Sequence, residues 1–197
     1  MNISVLLFDE AELLDWAGPA EVFSAASRFV SEPVNIGYFG YGSERVTAGN
    51  LKFYANGLWE QVTDIRVDLV IVPGGSGVKW VKTDKTRSLL NSIYESGSEI
   101  ASVCTGALLL AHAGLLTGRE ATTHHENFDQ LKQLAPGCEI KKEARYTYSP
   151  PVFTAGGVTA GIDLAISLVA RKWGTQTAQR TAEFIEYPLH GTQKSAF

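Results

Sequence analysis

Ile100-Ala-Ser-Val-Cys104-Thr-Gly-Ala-Leu-Leu-Leu110 joins an apolar, β-compatible run directly to a helix-compatible one at 106–113, with no loop between them. A strand that turns this sharply into a helix projects one side chain above the sheet on a strained backbone, the geometry of a nucleophile elbow. Cys104 is the residue at that corner. The amides at the start of the following helix favour a thiolate, the reactive form of cysteine. A buried structural cysteine is the competing reading, because free cysteine is among the most buried residue types; the turn favours the reactive one.

Outward from this corner the chain alternates strand and helix. Residues 3–8 are a continuous apolar run, which fits a strand covered on both faces in a parallel sheet. A helix is predicted over 14–29, with Val22, Phe23, Ala26 and Phe29 on one face. A second strand follows at 34–41. Gly40, Gly42 and Gly49 punctuate a stretch where 46–47 and 51–54 pair as a small hairpin. The third buried strand, 68–72, is halted by Pro73-Gly74-Gly75, and a polar-faced helix over 83–96 leads to the strand at 100–103. Further on come a strand at 121–124, a helix at 126–134, short strands at 145–148 and 152–154, and helices at 162–173 and 175–184. Repeated β-then-α units with right-handed crossovers give an α/β fold: a doubly wound, mostly parallel sheet flanked by helices, flavodoxin-like in class. The expected organisation is one domain over 1–187 with a C-terminal tail at 188–197.

Bulk properties narrow the function classes. The 197 residues carry 17 Lys and Arg against 21 Asp and Glu, a net charge of −4, which gives no electrostatic footprint for nucleic acid or an anionic membrane. No apolar stretch approaches the roughly 18 residues of a membrane span, and the first residues lack the pattern of a signal peptide. With Cys104 and Cys138 as the sole cysteines, a disulfide scaffold is not expected and a cytoplasmic location is. The four histidines show no metal-ligand spacing apart from the adjacent His124-His125, so neither metal nor cofactor is expected.

Ligands of doubly wound sheets bind beyond the carboxyl ends of the strands. Four chemical features fall at such ends in this reading: Asp15 after the first strand, Gly74-Gly75 after the third, Cys104 after the next, and His124 after the strand at 121–124. Each has a plainer alternative. Asp15 could cap its helix, the glycine pair could mark a turn, and His124 could be a packed core histidine. Functionally, the N–H groups of Gly75 and Thr105 could bind developing negative charge. Trp16 and Trp80 follow site elements and could wall a substrate pocket with Gly74 and His124. Cys138, after Pro136-Gly137, reads as a loop cysteine.

These residues carry a resemblance to a family. Leu13-Leu14-Asp15-Trp16-Ala17-Gly18-Pro19-Ala20-Glu21-Val22-Phe23, Val72-Pro73-Gly74-Gly75, Ser102-Val103-Cys104-Thr105-Gly106, Ala113-Gly114-Leu115-Leu116-Thr117-Gly118, Ala121-Thr122-Thr123-His124 and Ala155-Gly156-Gly157-Val158-Thr159-Ala160-Gly161-Ile162-Asp163 resemble the ThiJ/PfpI superfamily over nearly the whole chain. The resemblance implies a fold like that of class I glutamine amidotransferase domains. Within the superfamily it is nearest to isonitrile (isocyanide) hydratases and to the ligand-binding domains of certain AraC-type regulators. PfpI-type peptidases place histidine after the nucleophile, where this chain has Thr105, and glyoxalases or deglycases usually place glutamate where it has Asp15.

The hydratase resemblance implies Cys104 as nucleophile, Asp15 as general acid and base, and Thr105 orienting one of the reacting groups. It also implies a small-molecule substrate and a homodimer. The length and charge carry no sign of the DNA-binding helix-turn-helix that the regulators append. A glyoxalase, deglycase or small amide hydrolase using the same thiol, and a non-catalytic redox or metabolite sensor, are the other readings the sequence leaves open.

Overall fold

A computed structural model describes residues 1–48 and 51–189; Gly49 and most of the expected tail, from 190 on, lie outside them. The order of elements is β1 (Asn2–Leu7), α1 (Leu13–Ala26), β2 (Asn35–Gly40), β3 (Arg45–Ala48), β4 (Leu51–Tyr54), β5 (Gly57–Leu58), β6 (Leu69–Val72), α2 (Val78–Val81), α3 (Asp84–Glu95), β7 (Glu99–Val103), α4 (Gly106–His112), β8 (Glu120–Ala121), α5 (Phe128–Leu134), β9 (Glu139–Ile140), β10 (Tyr146–Ser149), β11 (Val152–Ala155), α6 (Ala160–Trp173) and α7 (Thr175–Phe184).

The central sheet runs β10-β11-β7-β6-β1-β2-β5. Every pairing in it is parallel except that of β10 with β11. β1 takes its inner position because its apolar run is buried on both faces. Ile3, Val5 and Leu7 point to one layer, where α1, α6 and α7 supply Val22, Phe23, Leu164 and Ala178. Leu6 and, just beyond the strand, Phe8 point to the other, with Trp59, Leu90, Leu108 and Leu131. That alternation is the two-residue period of a strand sandwiched between helical layers. The predicted hairpin forms as β3 and β4, paired antiparallel apart from the central sheet.

One predicted strand is a correction. Residues 121–124 contribute only β8, which pairs with β9 outside the central sheet. Side chains take the place of a ladder here: the Thr122 N–H donates to Thr154 Oγ1 at 2.7 Å, and Thr123 Oγ1 donates to the Cys104 carbonyl at 2.8 Å. A 3₁₀ turn (His125–Asn127) then delays the next helix to Phe128. The strand beside β7 is β11, so the fourth loop at this edge of the sheet follows Ala155 rather than His124.

The chain leaves β1, returns through β2, and crosses back to β6 on the other side of β1. That reversal between β1 and β6 is the switch point where the carboxyl ends of parallel strands open a crevice.

Candidate active site

β7 ends at Val103, and Cys104 takes φ 56°, a left-handed conformation in which an L side chain is strained. The surroundings hold it there. Its N–H donates to the carbonyls of Ala155 (3.1 Å) and Gly156 (2.8 Å), and its carbonyl accepts from Thr123. Thr105 follows as the residue before α4, so the sharp turn read from the sequence is the observed backbone. Close packing explains the glycines around it. A Cβ on Gly74 would lie 2.5 Å from Thr105 N and 2.9 Å from Cys104 Cβ, and one on Gly106 would lie 2.8 Å from the Pro73 carbonyl oxygen.

Asp15 does not cap its helix. Glu12 occupies the cap position of α1, while Asp15 lies fully buried in the first turn with Oδ2 accepting from the Gly74 N–H at 2.9 Å. Its Oδ1 is buried without a partner at hydrogen-bond geometry, and the Cys104 thiol and Val158 N–H lie near enough to ease its charged form. Burial nevertheless dominates and pushes the carboxyl up to about 7, with the Glu12 charge adding to the rise.

Burial also dominates at Cys104, followed by repulsion from Asp15, and the thiol is pushed up to about 12 against the backbone N–H and hydroxyl of Thr105. The thiolate expected from the helix terminus is therefore corrected. The resting group is a neutral thiol, because α4 is only seven residues long and its amides offset less than desolvation and the adjacent carboxyl add.

The oxyanion site also differs from expectation. The Gly75 N–H donates to Thr105 Oγ1 at 2.9 Å, so that donor is already engaged; the Thr105 N–H faces the sulfur instead. Gly75 itself is required, at φ 126°, where it bridges Ala11.

A cavity of about 530 Å³ opens at the thiol, lined among others by Glu12, Lys82, Thr105, His124 and Val158. His124 is thus brought to Cys104, its ring seated where a Cβ on Gly157 would lie 2.5 Å from Cδ2. The two tryptophans do not line this cavity. Trp16 packs against Tyr38 and Phe53, with ring centroids 5.7 and 5.2 Å away, and Trp80 is 55 % exposed. Cys138 is buried and apart from the site.

Sequence reasoning missed Val158 and Lys82. Val158 follows β11 at φ 48°, an outlier for a β-branched residue, and turns its N–H toward Asp15 and Cys104. The Gly156-Gly157 pair before it was the available signal. Among the described residues no three His, Cys, Asp or Glu side chains are grouped to hold a metal, and no helix is long and apolar enough to cross a membrane.

Comparison with known proteins agrees with this fold. The sequence profile of the DJ-1/PfpI family matches residues 1–171. The isonitrile hydratase of Pseudomonas putida is 32 % identical over 189 residues, which cover 95 % of this chain and 78 % of that enzyme. The HTH-type transcriptional regulator GlxA of Rhizobium meliloti is 30 % identical over 114 residues, 58 % of this chain and 35 % of the regulator. A ThiJ/PfpI family protein from Pseudomonas syringae superposes with a TM-score of 0.82 at 26 % identity, over 96 % of this chain and 76 % of that one.

Proposed function

The chain belongs to the DJ-1/PfpI family, and on that premise we propose that it is a cysteine-dependent hydratase converting an isocyanide to an N-substituted formamide. The observation that carries this reading is the pairing of a strained, solvent-reachable Cys104 thiol with a buried Asp15 carboxyl held near 7. Such a pair holds one proton that can move between sulfur, carboxylate and substrate at neutral pH.

The chemistry follows from the electronic structure of an isocyanide, R–N≡C, whose terminal carbon accepts both a nucleophile and a proton. Asp15 takes the thiol proton as Cys104 Sγ bonds to that carbon, and the same proton passes to the carbon, giving the thioimidate R–N=CH–S–Cys104. Asp15, again a carboxylate, removes a proton from water as the water oxygen adds to the thioimidate carbon, and passes that proton to the nitrogen, giving R–NH–CH(OH)–S–Cys104. Collapse breaks the C–S bond, releases R–NH–CHO and returns the proton to sulfur through Asp15. The sum is R–NC plus H₂O to R–NH–CHO. The Thr105 N–H, which faces the sulfur, stabilises charge as the leaving thiolate forms. Neither step requires a metal or an organic cofactor. A homodimer in the cytoplasm, acting on a small molecule, completes the reading.

The test is a panel of alkyl and aryl isocyanides, with methylglyoxal as a further substrate, assayed on wild type and Cys104→Ala. Wild type is expected to accumulate the formamide and Cys104→Ala none. Turnover that persists in Cys104→Ala removes covalent catalysis. Consumption of methylglyoxal in place of the isocyanides replaces the hydratase reading with a glyoxalase one.

A further inference from the structure

Four charged side chains border the cavity at Cys104, and three of them are accounted for. Glu12 and Lys79 are exposed to solvent, with Lys79 Nζ 4.8 Å above the Trp80 ring. Glu126 is 75 % exposed, and its carboxylate stands 3.8 Å from His124 Nδ1. Lys82 is the fourth. It is half-buried at the end of α2, and among the described residues no acceptor or carboxylate engages its ammonium. Its main chain is fixed, the N–H donating to the Val78 carbonyl at 3.0 Å.

A lysine in such a place buries its methylene stem and keeps its ammonium at the cavity's water-filled side. An unpaired ammonium on the wall of a reactive cavity is therefore suited to an anion that arrives with the ligand. His124 adds a second donor on the same wall: the Glu126 N–H points to Nδ1 at 3.4 Å, which leaves Nε2 to donate. One ammonium and one imidazole N–H match a singly charged carboxylate. A phosphate would call for a nest of amides or a guanidinium fork.

We infer that the substrate is an isocyanide whose substituent carries a carboxylate, bound by Lys82 while Cys104 attacks the isocyanide carbon. This rests on the hydratase reading for the reaction, and the product is then an N-formyl amino acid: ⁻OOC–R–NC plus H₂O gives ⁻OOC–R–NH–CHO. Lys82 is a specificity-determining residue in this scheme and takes no part in proton transfer.

Two measurements test it together. First, ω-isocyano acids with one to three methylenes and their methyl esters are compared by kcat/KM on wild type and Lys82→Gln. The acid-to-ester ratio is expected to fall by about tenfold or more in the variant, the size of one charge-assisted hydrogen bond; because it is a ratio, it is insensitive to the fraction of folded enzyme. Equal use of acid and ester by wild type, or a preference that survives Lys82→Gln, overturns the inference and leaves the hydratase reading standing.

Second, alkylation of Cys104 by N-iodoacetylglycine and by its amide is followed by mass spectrometry. This needs no turnover. If no isocyanide is hydrated, the hydratase reading fails, and the alkylation decides the anion site alone. Faster labelling by the acid, lost in Lys82→Gln, retains it, and equal labelling in both proteins overturns it.

Discussion

Asp15 concentrates the chemistry of the site in one carboxyl group. Burial raises it from 3.8 to about 7, so near neutral pH the Asp15–Cys104 pair passes between two protons and one. The reactive pair is the one with a single proton, whether drawn on sulfur or on oxygen. Log kcat/KM for isocyanide hydration is therefore expected to rise by about one per pH unit below about 7 and to level off above it. The thiol, at about 12, places any further change beyond the working range. A profile flat from pH 5 to 8 would remove Asp15 from the proton path. Asp15→Asn should lose about 10²- to 10⁴-fold in kcat and yet gain stability. A carboxyl whose folded value lies above its unfolded one contributes its full stability below about pH 4 and loses it as the pH rises through 7. The asparagine does not titrate, so relative to wild type it should gain up to about 4 kcal/mol by pH 8, and far less at pH 5, in urea unfolding. Asp15 and Cys104 were legible from their motifs. The direction of the thiol's shift was not, because it depends on desolvation by residues distant in sequence.

Elements were legible where a long period coincided with an end signal. For α3, the helix predicted over 83–96 is observed as Asp84–Glu95 with Thr83 as its cap, Oγ1 accepting from the Thr86 N–H at 3.2 Å. Thr83→Ala should cost about 1 kcal/mol in thermal or chemical unfolding, and Thr83→Ser, which keeps the acceptor, should recover most of it. A null effect of the alanine would mean that water replaces the cap. The elbow was equally plain, since the apolar strand and the apolar helix adjoin at Cys104. By contrast, 121–124, with its two β-branched threonines, reads as a strand, yet Thr122 and Thr123 are held by side-chain hydrogen bonds to Thr154 and Cys104. Periodicity does not record that distinction. β5 and α2, of two and four residues, are too short to show a period at all, and that is why Lys82 at the end of α2 escaped notice.

At the scale of the whole molecule, alternation of strand and helix fixed the class, but not which strands are neighbours. The site depends on that order, because it draws Asp15, Gly74, Cys104 and Val158 from the segments that follow β1, β6, β7 and β11. The loop carrying Val158 is itself anchored by an ion pair that ties three separate parts of the chain. Asp163, buried on α6, binds Arg145 ahead of β10 and accepts from the Tyr187 hydroxyl beyond α7 at 3.0 Å. Arg145 also donates to Thr159 Oγ1 at 3.1 Å, and its carbonyl receives the Gly156 N–H at 2.9 Å. Arg145→Ala leaves the Asp163 carboxylate without that guanidinium, at a cost of about 2–3 kcal/mol; the partial exposure of the arginine places this below the range for fully buried pairs. Tyr187→Phe removes the hydroxyl that donates to Asp163 and should cost about 1 kcal/mol. Because both act on one carboxylate, the double variant should differ from the sum of the single costs by at least about 0.5 kcal/mol, with an unchanged denaturant slope if the chain still unfolds as one unit. Strict additivity would mean that the segments ahead of β10 and beyond α7 are held independently. In that case Arg145→Ala should also leave the reactivity of Cys104 untouched, whereas a shared anchor loosens the Val158 N–H and slows alkylation of the thiol in step with the lost stability.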